Sequence, residues 1–209
     1  MVRQRVRIRF GKQGDLRLIG HRDLVRCLER LFRRAGVKLE MSRGFHPKPR
    51  MTFPSALALG IEGVDEVMEV CVADIDSADQ LLRRLVSHAP AGLTIRSLQV
   101  LPQGTRKCRV RQAGYRMAIP PQRRPDLAPR IDRLLARSSC PVKRPNRRAA
   151  LDLRPLLDAL TLRQGVLEMR LRTANGATTS PRDVLAALGL QDLEQQGVYL
   201  TRTVVEIDP

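Results

Sequence analysis

The sequence predicts an α+β protein made of two tandem ferredoxin-like (βαββαβ) units with antiparallel sheets, residues 1–102 and 103–209, with a linker at 101–112. Three observations predict it. Strand-period and helix-period segments in the first half fall in the order β-α-β-β-α-β, and the second half repeats that order. The charge follows the same two-part plan: residues 1–50 carry 15 Lys/Arg and 4 Asp/Glu, and residues 103–150 carry 14 and 2. The segments between and after them are mildly acidic, at net −4 for 51–102 and −2 for 151–209. Biased codon usage would spread Arg evenly, whereas here each half opens strongly basic and closes slightly acidic.

The first strand is read from strict alternation over Val2 to Phe10, with Val2, Val6, Ile8 and Phe10 on one face and Arg3, Arg5, Arg7 and Arg9 on the other. An Arg ladder of this kind repels itself unless carboxylates or a bound polyanion answer it. After a turn at residues 12–15, Leu24, Val25, Leu28, Leu31, Phe32 and Ala35 form one stripe of a helix over 22–35, with Arg22, Arg26, Arg30, Arg33 and Arg34 outward and Gly36 past its end. Residues 38–42 predict a short strand. The Gly and two Pro in Arg43-Gly44-Phe45-His46-Pro47-Lys48-Pro49-Arg50 predict an exposed basic loop. A strand over 64–73, a helix over 77–88 opened by Ser77 and Gln80, and a strand over 93–100 complete the unit.

In the second half, 115–119 predicts a strand, about 125–137 a helix, 141–145 a short strand or loop, and 166–173 a strand, with 149–163 as an extra segment. Ser180 caps a helix that has Pro181 at its first position and Gly189 past its end, and 198–207 closes the unit as a strand. In such a unit both helices cover one sheet face and leave the other free, and the free face is where the Arg ladder is expected.

A formal charge of +17 on 209 residues with an ordinary apolar fraction of 43% predicts a globular domain with an anionic partner. Arg far outnumbers Lys, and its fork matches two phosphate oxygens. Aromatic residues are only 3% and Trp is absent, which favours reading the backbone and shape of a structured RNA over stacking on successive bases. The expected nucleic-acid contacts are Arg3, Arg5, Arg7, Arg9, Lys12, Arg17, His21, Arg22, Arg26, Arg33, Arg43, Phe45, His46, Lys48 and Arg50 in the first unit. Arg109, Arg111, Arg116, Lys143, Arg144, Arg147 and Arg148 are the expected contacts from the second basic segment.

Cys27, Cys71, Cys108 and Cys140 are far apart and match no zinc or disulfide pattern, so no metal or cofactor is expected. Glu62, Asp65, Glu66 and Glu69 fit no hard-cation loop and are read as partners of the protein's own Arg residues. No apolar segment follows Met1 and none approaches the length of a membrane span, so a cytoplasmic protein is expected. His21, two residues from Asp23, and His46 in the basic loop admit a metal-independent endoribonuclease as an alternative function. The competing reading of the pair is a helix cap and a loop-packing histidine. A third reading is a protein-interaction subunit whose basic face docks an acidic protein.

One set of residues carries a family resemblance. Arg7-Ile8-Arg9-Phe10, Lys12, Gly14, Leu16-Arg17, His21, Asp23-Leu24, Arg26, Glu29-Arg30, Arg33-Arg34-Ala35-Gly36, Ser42, Gly44-Phe45, Pro47 and Pro49 resemble the radical-SAM-associated domain of unknown function, as does the later run Ser180-Pro181-Arg182-Asp183-Val184-Leu185. The chain departs from the family pattern at Gly20, Arg22 and His46, where Ser, Leu and Asn are usual. The resemblance implies a link to a radical SAM enzyme. This chain lacks the closely spaced cysteine triad of such an enzyme, so that chemistry would belong to a separate partner. The sequence therefore predicts an RNA-binding module rather than an enzyme, acting on structured RNA or a ribonucleoprotein, with no membrane association.

Overall fold

A computed structural model describes residues 3–73, 77–144, 150–173 and 179–208, and Val2, Arg147 and Arg148 of the sequence reading lie outside them. The architecture is mixed α+β, with four α-helices among the described residues and antiparallel strand pairing throughout the described ladders. The chain divides into two compact units between Arg109 and Val110.

The first unit runs β1 (Arg3–Lys12), a 3₁₀ turn at Gly14–Leu18, α1 (His21–Arg34), β2 (Lys38–Leu39), β3 (Met51–Thr52), β4 (Glu62–Ala73), α2 (Ala78–His88) and β5 (Leu93–Leu101). Within it the strand order is β5-β1-β4, with both β2 and β3 on the far side of β4. The alternation of β1 has its expected effect: Val6, Ile8 and Phe10 are buried together with Leu24, Leu28, Leu31 and Phe32 of α1 and Leu81 and Leu85 of α2. Helix α2 opens with Ser77 Oγ accepting from the Gln80 amide at 3.1 Å.

The edge formed by β2 and β3 is a single strand interrupted by an excursion. Lys38 and Leu39 pair with Ala73 and Val72, Met51 and Thr52 pair with Val70 and Glu69, and the intervening Cys71 is bonded through its carbonyl to the Glu40 amide and through its own amide to the Arg50 carbonyl. Residues 41–49 are thereby pushed out of the sheet edge as a hairpin.

The second unit runs β6 (Val110–Ala118), a 3₁₀ turn at Pro121–Arg123, α3 (Leu127–Leu135), β7 (Pro141–Val142), β8 (Leu151–Asp152), a 3₁₀ turn at Arg154–Leu156, β9 (Leu157–Arg163), β10 (Val166–Arg172), α4 (Pro181–Ala187) and β11 (Thr201–Ile207). Its sheet has the order β11-β6-β10-β9, and among the described residues β7 pairs only with β8. The edge strand is therefore β9, inside the segment that the sequence reading leaves as an insertion, while Pro141 and Val142 form a two-residue ladder outside the sheet. A register shift between Arg170 and Leu171 is the physical reason. It places the buried Leu157 and Leu160 three apart, so β9 lacks the two-residue period by which a strand is recognised. The β9–β10 turn is Gln164-Gly165, both at positive φ (50° and 77°), the backbone of a two-residue hairpin.

Candidate nucleic-acid interface

The Arg ladder lies on the face of β1 opposite α1 and α2, as its alternation requires, but it is not an open cationic surface. Arg7 stands opposite Glu69 in the β1–β4 register and donates to its Oε1 from Nε at 3.1 Å and Nη2 at 2.9 Å. Arg5 Nε is 3.8 Å from Glu69 Oε2, Arg9 Nη1 is 2.6 Å from Asp65 Oδ2, and Arg3 Nη1 is 3.0 Å from Glu40 Oε1. Segment 102–109 also lies against this face: Arg5 Nη2 donates to the carbonyls of Thr105 and Arg106, and the Cys108 thiol interacts with Glu69. Burial, and after it Glu69, pushes the Cys108 thiol up to about 11. Four arginines are thus answered by carboxylates from the same unit, the role read for Asp65 and Glu69 from sequence.

Lys12 is a correction to the expected set. Its side chain is only 1% exposed, and Nζ donates to the Ile19 carbonyl at 2.9 Å, fixing the turn between β1 and α1 and leaving no ammonium surface for a phosphate. A second correction concerns how the expected contacts combine. Arg22, Arg26 and Arg33 are exposed on α1, whose other side packs on Val6, Ile8 and Phe10, so the helix face and the ladder look out from opposite sides of the sheet. Arg26 is 3.4 Å from Asp23 on the same exposed helix face, a pairing of little energetic weight. Arg17 donates to the Gly14 carbonyl at 3.1 Å.

The hairpin behaves otherwise. Met41 bridges Pro49, the Ser42 amide donates to the Lys48 carbonyl at 2.7 Å, and the Lys48 amide donates to Ser42 Oγ at 2.9 Å, closing a narrow neck. Beyond the neck Arg43, Gly44, Phe45, His46 and Pro47 are all exposed, and Phe45 has 102% of its reference accessibility. Gly44 sits at φ 131°, a backbone region closed to most side chains. Arg50 below the neck is 3.2 Å from Glu40 and half exposed. A large ring in full solvent contact, flanked by cations on a braced turn, can stack on a base or another flat group while the cations meet its phosphates.

His21 and His46 are not joined by any hydrogen bond or ring contact among the described residues. The His21 ring meets Phe53 edge-on at 4.9 Å, and His46 is on the hairpin tip. Nor does Asp23 cap α1 through its side chain; its N-cap is Gly20, with no side-chain cap bond. Among the described residues, no group of three His, Cys, Asp or Glu side chains could hold a metal ion.

In the second basic segment, Arg109 and Lys143 are exposed, and Arg111 Nη2 is 2.8 Å from Glu206 Oε2, which holds the Glu206 carboxyl below its usual range. Arg144 is taken up by the fold: Nη2 and Nε donate to Asp183 Oδ2 at 2.6 and 3.1 Å, and the same oxygen accepts from Thr179 Oγ1 and the Ser180 amide at the start of α4. Arg116 is exposed on the open face of the second sheet, in a shallow trough of about 230 Å³ that also includes Gly114, Ala159, Thr161 and Arg170. A Cβ at Gly114 would lie 2.8 Å from Thr203 Oγ1, so the trough depends on that glycine.

A family model described as "Uncharacterized protein conserved in bacteria (DUF2344)" matches residues 5–181. The chain belongs to DUF2344. The match takes in β1, α1, the hairpin and β4 of the first unit and reaches Pro181 at the start of α4, so the exposed tip lies within the DUF2344 region. No curated protein matches the chain. Among solved structures, the acetolactate synthase small subunit from Thermotoga maritima is similar at 9% identity and TM-score 0.30, with 100% of this chain and 97% of that one covered. A protein of unknown function from Galdieria sulphuraria is similar at 13% identity and TM-score 0.33, with both chains fully covered. A microcompartment protein from Desulfitobacterium hafniense DCB stands at 10% identity and TM-score 0.22, with 99% and 95% covered. Among the described residues no helix is long and apolar enough to cross a membrane.

Proposed function

We propose that this DUF2344 protein is an RNA-binding module of two ferredoxin-like units whose first unit engages structured RNA through the 41–49 hairpin. The observation that carries the reading is the fully exposed Phe45 held between Arg43 and Lys48 on a hydrogen-bonded neck. Exposing a phenyl ring costs solubility and stabilises nothing in the fold, so its place at a cationic tip is best explained by a partner that is both flat and anionic. An unpaired base in an RNA loop, with its flanking phosphates, meets both conditions.

The reading differs from the sequence expectation in where the contacts fall. The ladder arginines act mainly within the fold, and the binding set shifts to Arg43, Phe45, His46, Lys48 and the exposed cations of α1. The module is read as binding rather than cleaving: the His21 ring packs edge-on against Phe53 and His46 sits on the hairpin tip, with no hydrogen bond between the two among the described residues. The resemblance to the radical-SAM-associated family supports a cytoplasmic setting in which a separate radical SAM protein acts on the RNA or ribonucleoprotein held here.

Titrating the full chain into fluorescently labelled stem-loop and duplex RNAs of equal length tests this. The reading expects tighter binding to the stem-loop, weakened by F45A and by R43E/K48E. Equal affinity for both RNAs with no effect of F45A would remove the hairpin from the interface. Chelator-resistant cleavage of the RNA, lost in H21A, would replace binding with endoribonuclease activity.

A further inference from the structure

Helix α3 carries a cationic surface outside the set expected from sequence. Arg130 and Arg133 on α3 and Arg137 just beyond it line a groove of about 390 Å³, closed on the other side by Ala186, Ala187 and Gly189 at the end of α4. At 100° per residue, positions 130, 133 and 137 fall within one narrow sector beside the stripe of Leu127, Ile131 and Leu134 that α3 buries. The far wall is low because α4 ends in two alanines and is followed, after Leu188, by Gly189 at φ 69°. Neither Asp126 at the N-cap of α3 nor Asp132 within the helix lines the groove.

We propose that this groove seats a phosphodiester strand of RNA. The proposal rests on the RNA-binding reading above and adds a contact surface in the second unit. Arg130 Nη1 donates to the Leu188 carbonyl at 3.1 Å, which tethers α3 to the end of α4 and fixes that guanidinium at the groove wall. Among the described residues Arg133 uses only Nε, on the Pro129 carbonyl at 3.3 Å, which leaves its two terminal nitrogens to donate. The Arg137 guanidinium has no hydrogen bond or ion pair among the described residues. From Arg130 to Arg137 the row extends roughly 10 Å at helical rise, the length of about three phosphates along one strand. An acidic protein would be expected to add an apolar anchor at the centre of its interface, and the two leucines of the groove, Leu134 and Leu188, are both buried. The charge and shape fit a polyanionic backbone better.

The test uses the full chain, with R133E/R137E as the main variant and R133Q/R137Q as a second in case charge reversal disturbs folding. Arg130 is left in place because it tethers α4. Binding of a labelled stem-loop RNA is followed by anisotropy across a salt series, with the thermal melt of each variant as a control. The expected result is an affinity loss of at least about tenfold for R133E/R137E at low salt and a salt slope shallower by about two, with the melt unchanged. Wild-type affinity and slope in both variants, while R43E/K48E loses binding, would overturn this surface and leave the hairpin reading standing. Absence of RNA binding by the wild type would overturn both. Loss of binding to anionic vesicles or to an acidic protein without any loss for RNA would assign the groove to that partner instead.

Discussion

The guanidinium of Arg7 donates two hydrogen bonds, at 3.1 and 2.9 Å, to a single oxygen of Glu69 across the β1–β4 ladder. Glu69 is only 3% exposed, and it also draws in Arg5 and the Cys108 thiol. The most conspicuous motif of the sequence, an alternating row of arginines, is therefore largely a cross-strand device, and its member Arg5 also holds segment 102–109 against the sheet.

Removing Glu69 leaves Arg5 and Arg7 facing each other with their shared anion gone. E69A is expected to destabilise the first unit by about 3 kcal/mol, the cost of orphaning one partner of a buried pair. Urea unfolding gives the value. A loss under about 0.5 kcal/mol would make the pairing incidental.

Phe45 supports no packing, so F45A is expected to leave stability within about 0.5 kcal/mol. Its effect on RNA is expected to be a loss of about 1–3 kcal/mol, the value of one stacked base. Calorimetric titration with a stem-loop RNA, beside a thermal melt, separates the two. A variant that melts early but binds normally would reverse the assignment.

Asp183 receives Arg144, Thr179 and the Ser180 amide, and with Ser180 it forms the capping box of α4. D183A is expected to cost about 2 kcal/mol through loss of the cap and the ion pair, lowering the melting temperature by several degrees. R144A is expected to act in the same direction with little effect on RNA affinity. A strong RNA defect in R144A at unchanged stability would restore Arg144 to the interface.

The Cys108 thiol has a folded-state pKa raised from 9.0 to about 11 by burial and then by Glu69. Because the folded value lies above the unfolded one, the associated stability is present below pH 9 and lost as pH rises through about 11. At pH 8 the thiolate fraction is about 100-fold below that of an ordinary cysteine, so alkylation of Cys108 is expected to be slow, and faster in E69Q. Mass-spectrometric rates at the four cysteines check this. Cys108 reacting as fast as an exposed thiol would contradict it.

Much of the fold was legible in residue periodicity. Strict alternation placed Val6, Ile8 and Phe10 in the core, and the 3.6-residue stripe set α1 to within a residue at each end. Strand β9 was not legible, because a register shift removes its alternation and a Gln-Gly turn gives a weaker signal than Asn-Gly. The site was legible as composition but not as geometry. Arginines paired to Glu69 or Asp183 read the same in sequence as arginines left in solvent, since their acidic partners are 62 and 39 residues away. The hairpin could be found as a Gly/Pro-rich basic loop, but that its phenyl ring is wholly exposed depends on the Ser42–Lys48 neck, which leaves no periodic trace.

Cations that hold RNA phosphates release counterions on binding, so the affinity must depend on salt. Measuring the affinity of the full chain for one stem-loop RNA from low to moderate salt is expected to give a linear fall of log K with log salt. That slope should become shallower by about one for each of Arg43 and Lys48 that is replaced. A salt-independent affinity, or no measurable RNA binding at low salt, would contradict the RNA-binding reading.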